Sequence, residues 1–331
     1  MAANATLLER SAAMFARSAA HGSAAVAGGG DFSSGAYSYA RWGEWPSPVG
    51  LTLGILAVAF VQVFVVAYHA WRVSALKGGE YSESYAARNR IQKVGRAPYA
   101  FMPMLREHLG SVEGFVLLGA YLSGTWMFDL MPSSYYSFEG GVNLAHVAAQ
   151  MLVQDAVQAA MHLLEHKLHP KLYRASHKPH HRFLNPCLFD AFNGSVGDTV
   201  CMILVPLYIT ANAVHCNVWS YMAFGAAYAN WLCLIHAEYD HPWDPLCRLL
   251  GVGTPADHHV HHRLFVYNYG HIFMYWDRLL GTYRAPEDVR QFVNYSGVAK
   301  GAIANGAIAK GGGEAPTAAP LARRPAAAAA S

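Results

Sequence analysis

Eighteen of the 331 residues are histidine, and many of these fall into three short clusters. The clusters occupy residues 162–166, 177–181 and 258–262. Neutral imidazole is the commonest metal ligand among protein side chains, and repeated histidine clusters are typical of transition-metal sites. The pattern therefore predicts a polynuclear redox-metal site, held in a chain whose apolar runs suit a bilayer.

The first two clusters can each place several imidazoles on one helical face. His162 and His166 are four residues apart on a helix expected to continue from an apolar run, so both rings can approach one ion. His177 is three residues from His180 and four from His181, which puts all three on one face if the segment is helical. Six histidines within twenty residues are hard to explain as solvated surface.

The third cluster repeats the HxxHH arrangement at His258, His261 and His262. A helical hairpin is predicted between the second and third clusters, and it would turn the chain back so that they meet. His236 follows this hairpin and is a further candidate ligand. The role of His241 stays open, and His259 is a weaker candidate because it points away from the HxxHH face of a helix.

A histidine set of this size exceeds the capacity of one ion, because a structural zinc takes about four ligands and a catalytic zinc about three from protein. Two metal ions are therefore predicted. Iron is favoured over zinc, because oxidation of an unactivated C–H bond needs a redox metal and zinc has no redox chemistry. Carboxylates near the clusters could orient the ring N–H groups, and these are Asp155, Glu165, Glu238, Asp240 and Asp257.

The composition is typical of a membrane protein. Hydrophobic residues make up 53% of the chain and charged residues 14%, against about 25% charged residues in soluble domains. A formal net charge of +3, with no basic cluster interleaved with aromatic residues, gives no indication of nucleic-acid binding. The five cysteines include no CxxC pair, so neither a disulfide framework nor a zinc knuckle is expected.

Apolar runs predict an all-α, polytopic membrane bundle of about three spans plus a helical hairpin. A helix needs about 20 apolar residues to cross a bilayer core, and the candidate runs are Leu51–Trp71, Val112–Met131, Val142–Met161 and the hairpin pair Thr199–Val214 and Val218–Ile235. Loops with many basic residues alternate with loops that have none. By the positive-inside rule, all three histidine clusters then form a cap on the cytoplasmic face.

Aromatic residues of the second hairpin helix have two interpretations. An aromatic belt at the membrane interface is the commoner role for such residues, and lining a slot for a sterol or an acyl chain is the alternative. The residues concerned are Trp219, Tyr221, Phe224, Tyr228 and Trp231.

The two ends of the chain have low-complexity composition. Residues 1–45 are rich in Ala, Ser and Gly and are predicted to form a disordered or targeting tail. Residues 297–331 are rich in Ala, Gly and Pro and are predicted to form a second disordered tail. One membrane domain is expected over residues 46–296, and neither tail is expected to carry chemistry.

The order of the histidine motifs resembles that of a known family. HxxxH, HxxHH, a lone histidine after a hairpin and a second HxxHH are followed by YNYGHIFMYWDRLLGTYRAP at 267–286. Over about residues 112–286, this order resembles the sterol desaturase/fatty acid hydroxylase superfamily of membrane di-iron enzymes. SHKPHH and VHHRLFVYNYG are most similar to C-5 sterol desaturases, HAEYDHPWDP is more similar to C-4 methylsterol oxidases, and DRLLGTY also occurs in sphingoid-base hydroxylases.

The resemblance implies an O2-dependent lipid desaturase or hydroxylase with two iron ions, most similar to a C-5 sterol desaturase. It further implies a location in the endoplasmic reticulum membrane and electrons from NAD(P)H through cytochrome b5 and its reductase. His271 stands where C-5 desaturases usually have Gln, so it could join the site or lie outside it. The ligand roles that the resemblance implies fall on His162, His166, His177, His180, His181, His236, His258, His261 and His262.

The residues themselves support an external electron donor, because the chain has no GxGxxG at a strand-to-helix turn and no HPGG-type haem loop. Two other classes of function make different demands on the sequence. A membrane metal transporter needs ionisable residues along a path through the bilayer. Only Asp155 within a predicted span, with Asp129 and Asp198 near span ends, approaches that pattern, and the histidine clusters gather on one side. A zinc hydrolase needs an open metal position with a general base and uses no electrons.

Overall fold

The structure is a computed structural model that describes residues 46–75, 90–92, 101–128 and 130–292. The predicted tails at 1–45 and 297–331 lie outside these ranges, as do Asp129 and most of the loop after the first predicted span. Within the described residues the chain is helical, and strand-like pairing is limited to isolated bridges such as Val252 with Phe273. The all-α prediction is therefore confirmed for this part of the chain.

The described helices are of unequal length, and several begin with or are joined by non-α turns. Two π-helical turns, Val112–Val116 and Val200–Leu204, lead directly into α-helices. Short 3-10 turns include His180–Arg182 and Leu188–Phe192. The α-helices are α1 (Pro48–Ala75), α2 (Phe101–Gly110), α3 (Leu117–Met127), α4 (Leu144–Lys167), α5 (Pro170–Ala175), α6 (Val196–Thr199), α7 (Val205–Ala213), α8 (Val218–Ile235), α9 (Asp244–Leu249), α10 (Pro255–Leu264) and α11 (Tyr275–Leu280).

Three helical segments of the described chain are long and apolar enough to cross a membrane: Pro48–Tyr68, Val196–Ala213 and Val218–Ile235. The first matches the first predicted span. The other two match the two halves of the predicted hairpin, and each half is long enough to cross by itself. The chain thus has the spans of a multi-pass membrane protein, and its hairpin ends where α8 leads into the histidine-rich part.

The remaining two predicted spans do not meet the same test of length and composition. Within Val112–Met131, a π-helical turn of 5 residues is followed by only 11 residues of α-helix. Within Val142–Met161, α4 is 24 residues long but buries Gln150, Gln154 and Gln158 against the protein. Side-chain amides need protein partners rather than lipid, so this part of α4 is explained by packing inside the bundle.

Close packing of α1 against α3 depends on two glycines spaced like a GxxxG motif. A Cβ atom at Gly50 would lie 2.4 Å from the carbonyl oxygen of Trp126, and one at Gly54 would lie 2.5 Å from the Cα of Ser123. Small residues at this spacing let membrane helices approach until their backbones touch. Any larger residue at either position would push the two helices apart.

Helix α8 lies at the centre of the molecule, packed against α1, α4 and α10. It begins at Asn217, whose side chain accepts a hydrogen bond from the N–H of Ser220. Phe224 and Val218 on this helix are fully buried in the main hydrophobic core. The C-terminal end of α8 therefore has a fixed position, and His236 follows it directly.

Two aspartates hold the segment after α10 against the bundle. Asp155 on α4 accepts hydrogen bonds from the backbone N–H groups of His271, Ile272 and Phe273, and from the indole of Trp276. Asp277 on α11 accepts from the N–H groups of residues 269 and 270 and from the hydroxyl of residue 282. These bonds give the YNYG and WDRLLGT motifs a structural role, because they fix the loop that faces α4.

Candidate metal centre

All nine histidines expected to be ligands lie in two adjacent groups. Group one consists of His162, His166, His177, His181 and His261, and group two consists of His180, His236, His258 and His262. Within each group, one potential ligand atom of every ring lies within 4.8 Å of one such atom of every other ring. Residues 80 positions apart in the chain thus supply rings to one group, as His181 and His261 do at 3.0 Å between their Nε2 atoms.

Each of the two HxxHH motifs has histidines in both groups. His177 and His181, four residues apart, belong to group one, whereas His180 between them belongs to group two. In the third cluster, His258 and His262 belong to group two and His261 belongs to group one. Each motif thus contributes to both groups, and neighbours in sequence face different sites.

This partition corrects the expectation that each HxxHH motif presents one face. Around His180 the chain forms a 3-10 turn, not an α-helix, so the direction of each ring differs from the helical one. In α10 the helix is regular, and His258 and His262 contribute to group two, whereas His261 contributes to group one. The ring centroids of His181 and His262, one from each group, are only 5.0 Å apart.

Helix α10 is set in place by its own ends. Thr254 and Asp257 form a capping box at its N-terminus, where Pro255 occupies the first turn. The helix ends at Phe265, which adopts the left-handed conformation with φ of 65°. The three histidines of the motif therefore occupy a short, well-terminated helix whose residues 255–262 are buried.

Protein oxygens fix the orientation of several rings. The Nδ1 atoms of His162 and His261 lie 2.8 and 2.7 Å from the carbonyl oxygens of Tyr269 and Tyr267. In group two, the Nδ1 atoms of His180 and His236 lie 3.0 and 2.6 Å from the carbonyl oxygens of residues 193 and 232. A carbonyl can only accept, so each Nδ1 carries the hydrogen and each neutral ring keeps a lone pair on Nε2.

These lone pairs face one another, which identifies a place for a cation. The Nε2 atoms of His180 and His236 are 3.3 Å apart, and neither can donate a hydrogen bond to the other. Across both groups, the paired Nε2 atoms are separated by 2.9 to 3.3 Å. Two nitrogens bound at right angles to one ion, at about 2.1 Å each, would be about 3.0 Å apart. The donor set therefore fits a transition-metal ion in each group.

Burial keeps the imidazoles in the neutral form that binds metal. It lowers the pKa of His166 and of His180 to about 4, with Lys167 adding to the effect on His166 and Arg182 to that on His180. Burial, reinforced by neighbouring imidazoles, also holds the pKa of His177 and His181 well below the usual value. A proton therefore competes weakly with a metal ion for these nitrogens.

Asp198 is a further candidate site residue, and its position in the sequence does not place it near the histidine clusters. Its Oδ1 lies 2.6 Å from the Nδ1 of His177, in the position of a carboxylate that orients a metal-bound histidine. Glu165 lies farther away, at 3.7 Å from the same Nδ1. Of the predicted carboxylates, Asp155 and Asp257 bind backbone N–H groups instead. Asp198 lies twenty-one residues after His177, and no sequence motif connects the two residues.

His241 and His259 lie outside both groups, because each ring uses both nitrogens in protein hydrogen bonds. His241 pairs with the hydroxyl of Tyr68 at 2.6 Å and with the carbonyl of Leu234 at 3.0 Å. His259 pairs with the carbonyl of Ala237 at 3.0 Å and with the amide of Gln92 at 3.0 Å. These hydrogen bonds connect distant segments of the chain to each other. They leave no ring nitrogen of His241 or His259 for a metal.

His271 occupies a third kind of position, next to both groups but in neither. Its ring centroid is 5.0 Å from that of His162 in group one and 5.1 Å from that of His258 in group two. Its Nδ1 atom is buried and has no hydrogen-bond partner among the described residues. His271 thus lies at the junction of the two groups.

Comparison with known proteins places this centre in a family. The fatty acid hydroxylase family matches residues 147–282. An alternative squalene epoxidase of Phaeodactylum tricornutum is 55% identical over 243 residues, which cover 73% of this chain and 68% of the relative. No solved structure matches the chain.

More distant relatives are named as sterol desaturases. A Δ7-sterol 5(6)-desaturase of Saccharomyces cerevisiae is 33% identical over 125 residues, covering 35% of this chain and 30% of the relative. One of Leptosphaeria maculans is 36% identical over 117 residues, covering 35% and 31%. The chain thus spans under a third of the length of these desaturases. Because the epoxidase relative matches over most of both chains, this chain belongs to the sterol desaturase/fatty acid hydroxylase superfamily of O2-dependent membrane oxidoreductases.

Proposed function

We propose that the chain is a membrane epoxidase that uses two iron ions, O2 and two electrons to insert one oxygen atom into a double bond of a long hydrocarbon such as squalene. The observation that carries the proposal is the contact between two groups of histidines, with 5.0 Å between the rings of His181 and His262. Two neighbouring redox ions can together reduce O2. A single-ion site would not need two adjacent groups, and the all-histidine ligand sets, together with the oxidoreductase relatives, favour redox chemistry over hydrolysis.

The proposed iron ligands are the nine histidines of groups one and two. Bound iron would supply the redox chemistry of O2 activation, which no amino-acid side chain can supply. The chain itself keeps the rings neutral by burial, fixes their tautomers through backbone carbonyls, and excludes bulk water from the site. His162, His261 and His262 are each at most 1% exposed. Such enclosure prevents side reactions of reactive oxygen species with water.

Epoxidation is preferred to desaturation because of the relatives. The protein named as a squalene epoxidase is 55% identical over 73% of this chain, whereas the sterol desaturases are about one-third identical over 35% of it. Both reactions consume O2, two electrons and two protons. Epoxidation places one oxygen atom in the product and one in water, whereas desaturation removes two hydrogens and places both oxygen atoms in water. C-5 sterol desaturation, which the motifs favoured, remains the second candidate.

Further parts of the proposal concern electrons and location. The electrons would come from NAD(P)H through cytochrome b5 and its reductase, since the sequence has no dinucleotide or haem motif of its own. The protein would lie in the endoplasmic reticulum membrane, with residues 46–296 as its membrane domain and residues 1–45 and 297–331 as tails. The histidine groups would face the cytoplasm, where a soluble or anchored electron carrier can reach them. Protease digestion of sealed vesicles, probed by tags on loops, tests this orientation.

Isotope labelling tests the reaction. Membranes with the expressed chain receive squalene, NADPH, cytochrome b5 and its reductase under 18O2, and the products are analysed by mass spectrometry. The proposal expects epoxysqualene that carries one 18O atom. Parallel incubations contain a Δ7-sterol, a 4-methylsterol or a sphingoid base. A new sterol double bond without label, in the absence of any epoxide, would replace epoxidation with desaturation.

The control for this assay is His262→Ala, which removes one ring of group two. It should form no product with any substrate. His259→Ala, which changes a histidine of the same helix that lies outside both groups, should retain product formation. Omission of cytochrome b5 tests the electron donor separately. Undiminished epoxide formation without it would contradict that part of the proposal only.

A further inference from the structure

An apolar cavity lies between α1, α3, α7 and α8. Most of its lining is apolar, and no charged residue occurs among the described residues that line it. Ligand pockets are usually lined by apolar and aromatic side chains with a few polar groups among them. An apolar cavity inside a membrane bundle suits a hydrocarbon chain better than a polar cofactor.

One lining residue of the cavity is next in sequence to a residue that holds a ring of group two. Phe192 lines the cavity, and the next residue, Asn193, holds the ring of His180 through its carbonyl oxygen. Ala229 lines the cavity from α8, and His236 follows seven residues later, or about 10 Å along the helix. A chain that fills the cavity would therefore extend towards His180 and His236 rather than towards group one.

Both π-helical turns contribute to the same cavity. Phe115 in the first turn and Ile203 in the second turn are among its lining residues. The turns are joined where the hydroxyl of Thr199 donates to the carbonyl oxygen of Glu113. Single π-helical turns within α-helices frequently occur at functional sites, and here two of them shape one wall.

One hydrogen-bond donor of the lining has no acceptor. Trp126 on α3 lines the cavity, and its buried indole N–H has no hydrogen-bond partner among the described residues. Tyr228 also lines the cavity, but its hydroxyl lies beside the side chains of Gln154 and Gln158. A saturated chain offers the indole N–H nothing, whereas the π electrons of a double bond are weak acceptors.

We infer that this cavity binds the unsaturated hydrocarbon chain of the substrate and directs it to group two, an inference that rests on the proposed epoxidase function. Gly225 provides the means to test it. This glycine of α8 lines the cavity, and a Cβ atom there would meet no other atom within 4 Å. A larger side chain at position 225 would therefore occupy the cavity without displacing a helix.

Gly225→Leu is the test, and Gly124→Leu is its matched control. Gly124 also lies within a helix, and a Cβ atom there also meets nothing within 4 Å, but it does not line the cavity. We expect Gly225→Leu to raise the KM for squalene by about tenfold or more, because the added side chain would take space that the bound substrate needs. The melting temperature of neither variant should fall, because leucine favours a helix more than glycine does.

Direct binding separates this inference from the proposed function. Purified full-length protein is titrated with radiolabelled squalene, with its saturated analogue squalane and with a Δ7-sterol. We expect squalene to bind best, Gly225→Leu to lose that binding, and Trp126→Phe, which removes the indole N–H, to reduce the preference for squalene over squalane. If the chain makes epoxide and Gly225→Leu matches Gly124→Leu in KM, the inference fails alone.

Other outcomes also decide between the two ideas. If no epoxide forms but squalene binds and Gly225→Leu abolishes that binding, the cavity assignment stands and the proposed reaction fails. If the Δ7-sterol binds in preference to squalene and Gly225→Leu abolishes that binding, the hydrocarbon assignment is overturned.

Discussion

Group one and group two use the same side chain but differ in how the protein holds it. Group one has five rings, and its His177 is held by the carboxylate of Asp198 at 2.6 Å. Group two has four rings, and those of His180 and His236 are held by backbone carbonyls. A carboxylate partner raises the basicity of a histidine ligand more than a neutral carbonyl does.

The difference predicts that the two groups bind their ions with different strength. With one more ring and a carboxylate behind it, group one should bind its ion more tightly. Phe192 lines the apolar cavity and precedes Asn193, whose carbonyl oxygen holds His180 of group two, so group two would be the nearer one to a hydrocarbon chain in that cavity. We therefore expect a tightly held ion in group one and a more readily exchanged ion in group two.

Removal of one ligand from either group should have the largest effect. His261→Ala acts on group one and His262→Ala acts on group two, although the two residues are adjacent in sequence. Both should abolish epoxide formation, because both ions are needed to reduce O2, and each should lower the iron content from two ions per chain to about one. Inductively coupled plasma mass spectrometry of purified protein measures this content. Retention of both ions in either variant would contradict the partition.

Acid should act on both groups alike when metal is absent. Burial lowers the pKa of His166 in group one and of His180 in group two to about 4, from the usual 6.5. Between pH 6.5 and 4 the unfolded chain binds protons that the folded chain does not, so the free energy of unfolding decreases as the pH falls through this window. Thermal unfolding of metal-free protein in detergent, measured at several pH values, checks this.

Bound iron should oppose that effect, because it occupies the same nitrogens and binds only the folded chain. The melting temperature of the iron-loaded protein should therefore depend less on pH over this window. Equal pH dependence with and without iron would indicate that the metal is not bound by these histidines.

The carboxylate of group one provides a smaller and more selective change. Asp198→Asn should weaken iron binding in group one by about 10- to 100-fold, the usual cost of removing such a partner, and leave group two unaffected. The control is Asn193→Ala, because His180 is held by the backbone carbonyl of residue 193, which the substitution keeps. Iron retention during dialysis against a chelator measures both. A faster loss in Asn193→Ala than in Asp198→Asn would reverse the proposed difference.

The junction residue should give the smallest effect on metal content. His271 contacts rings of both groups but belongs to neither. His271→Gln, which restores the residue typical of C-5 desaturases, should keep two ions per chain and alter the Mössbauer parameters of both. It should change the rate of epoxidation less than Asp198→Asn changes iron binding. A loss of one ion would show that His271 is itself a ligand.

Much of the fold follows from local sequence. The α-helical character, the first span and the hairpin were predicted from runs of apolar residues, and Val218–Ile235 has the predicted bounds. The spans at Val112–Met131 and Val142–Met161 were predicted less well. An apolar count does not reveal a π-helical turn at Val112–Val116. Nor does it show that α4 turns its amide side chains towards other helices.

The aromatic residues of α8 illustrate the same limit. Tyr221 and Tyr228 line the cavity, whereas Trp219 is 42% exposed and donates to the carbonyl oxygen of Phe138. From the sequence, all five aromatic residues were expected either to form a belt at the membrane interface or to line a slot for the substrate. The helix divides the set between these surroundings, because residues of one helix point in different directions.

The sequence by itself determined which side chains are available for metal binding, because nine histidines at HxxxH and HxxHH spacing have few other physical explanations. It also determined the helical bundle that carries them, through the length of its apolar runs. Only the tertiary structure decided which ring joins which group. That choice depends on a 3-10 turn at His180, on the return of the chain through α8, and on backbone carbonyls and Asp198 that orient the rings, and these arise from contacts between residues distant in sequence.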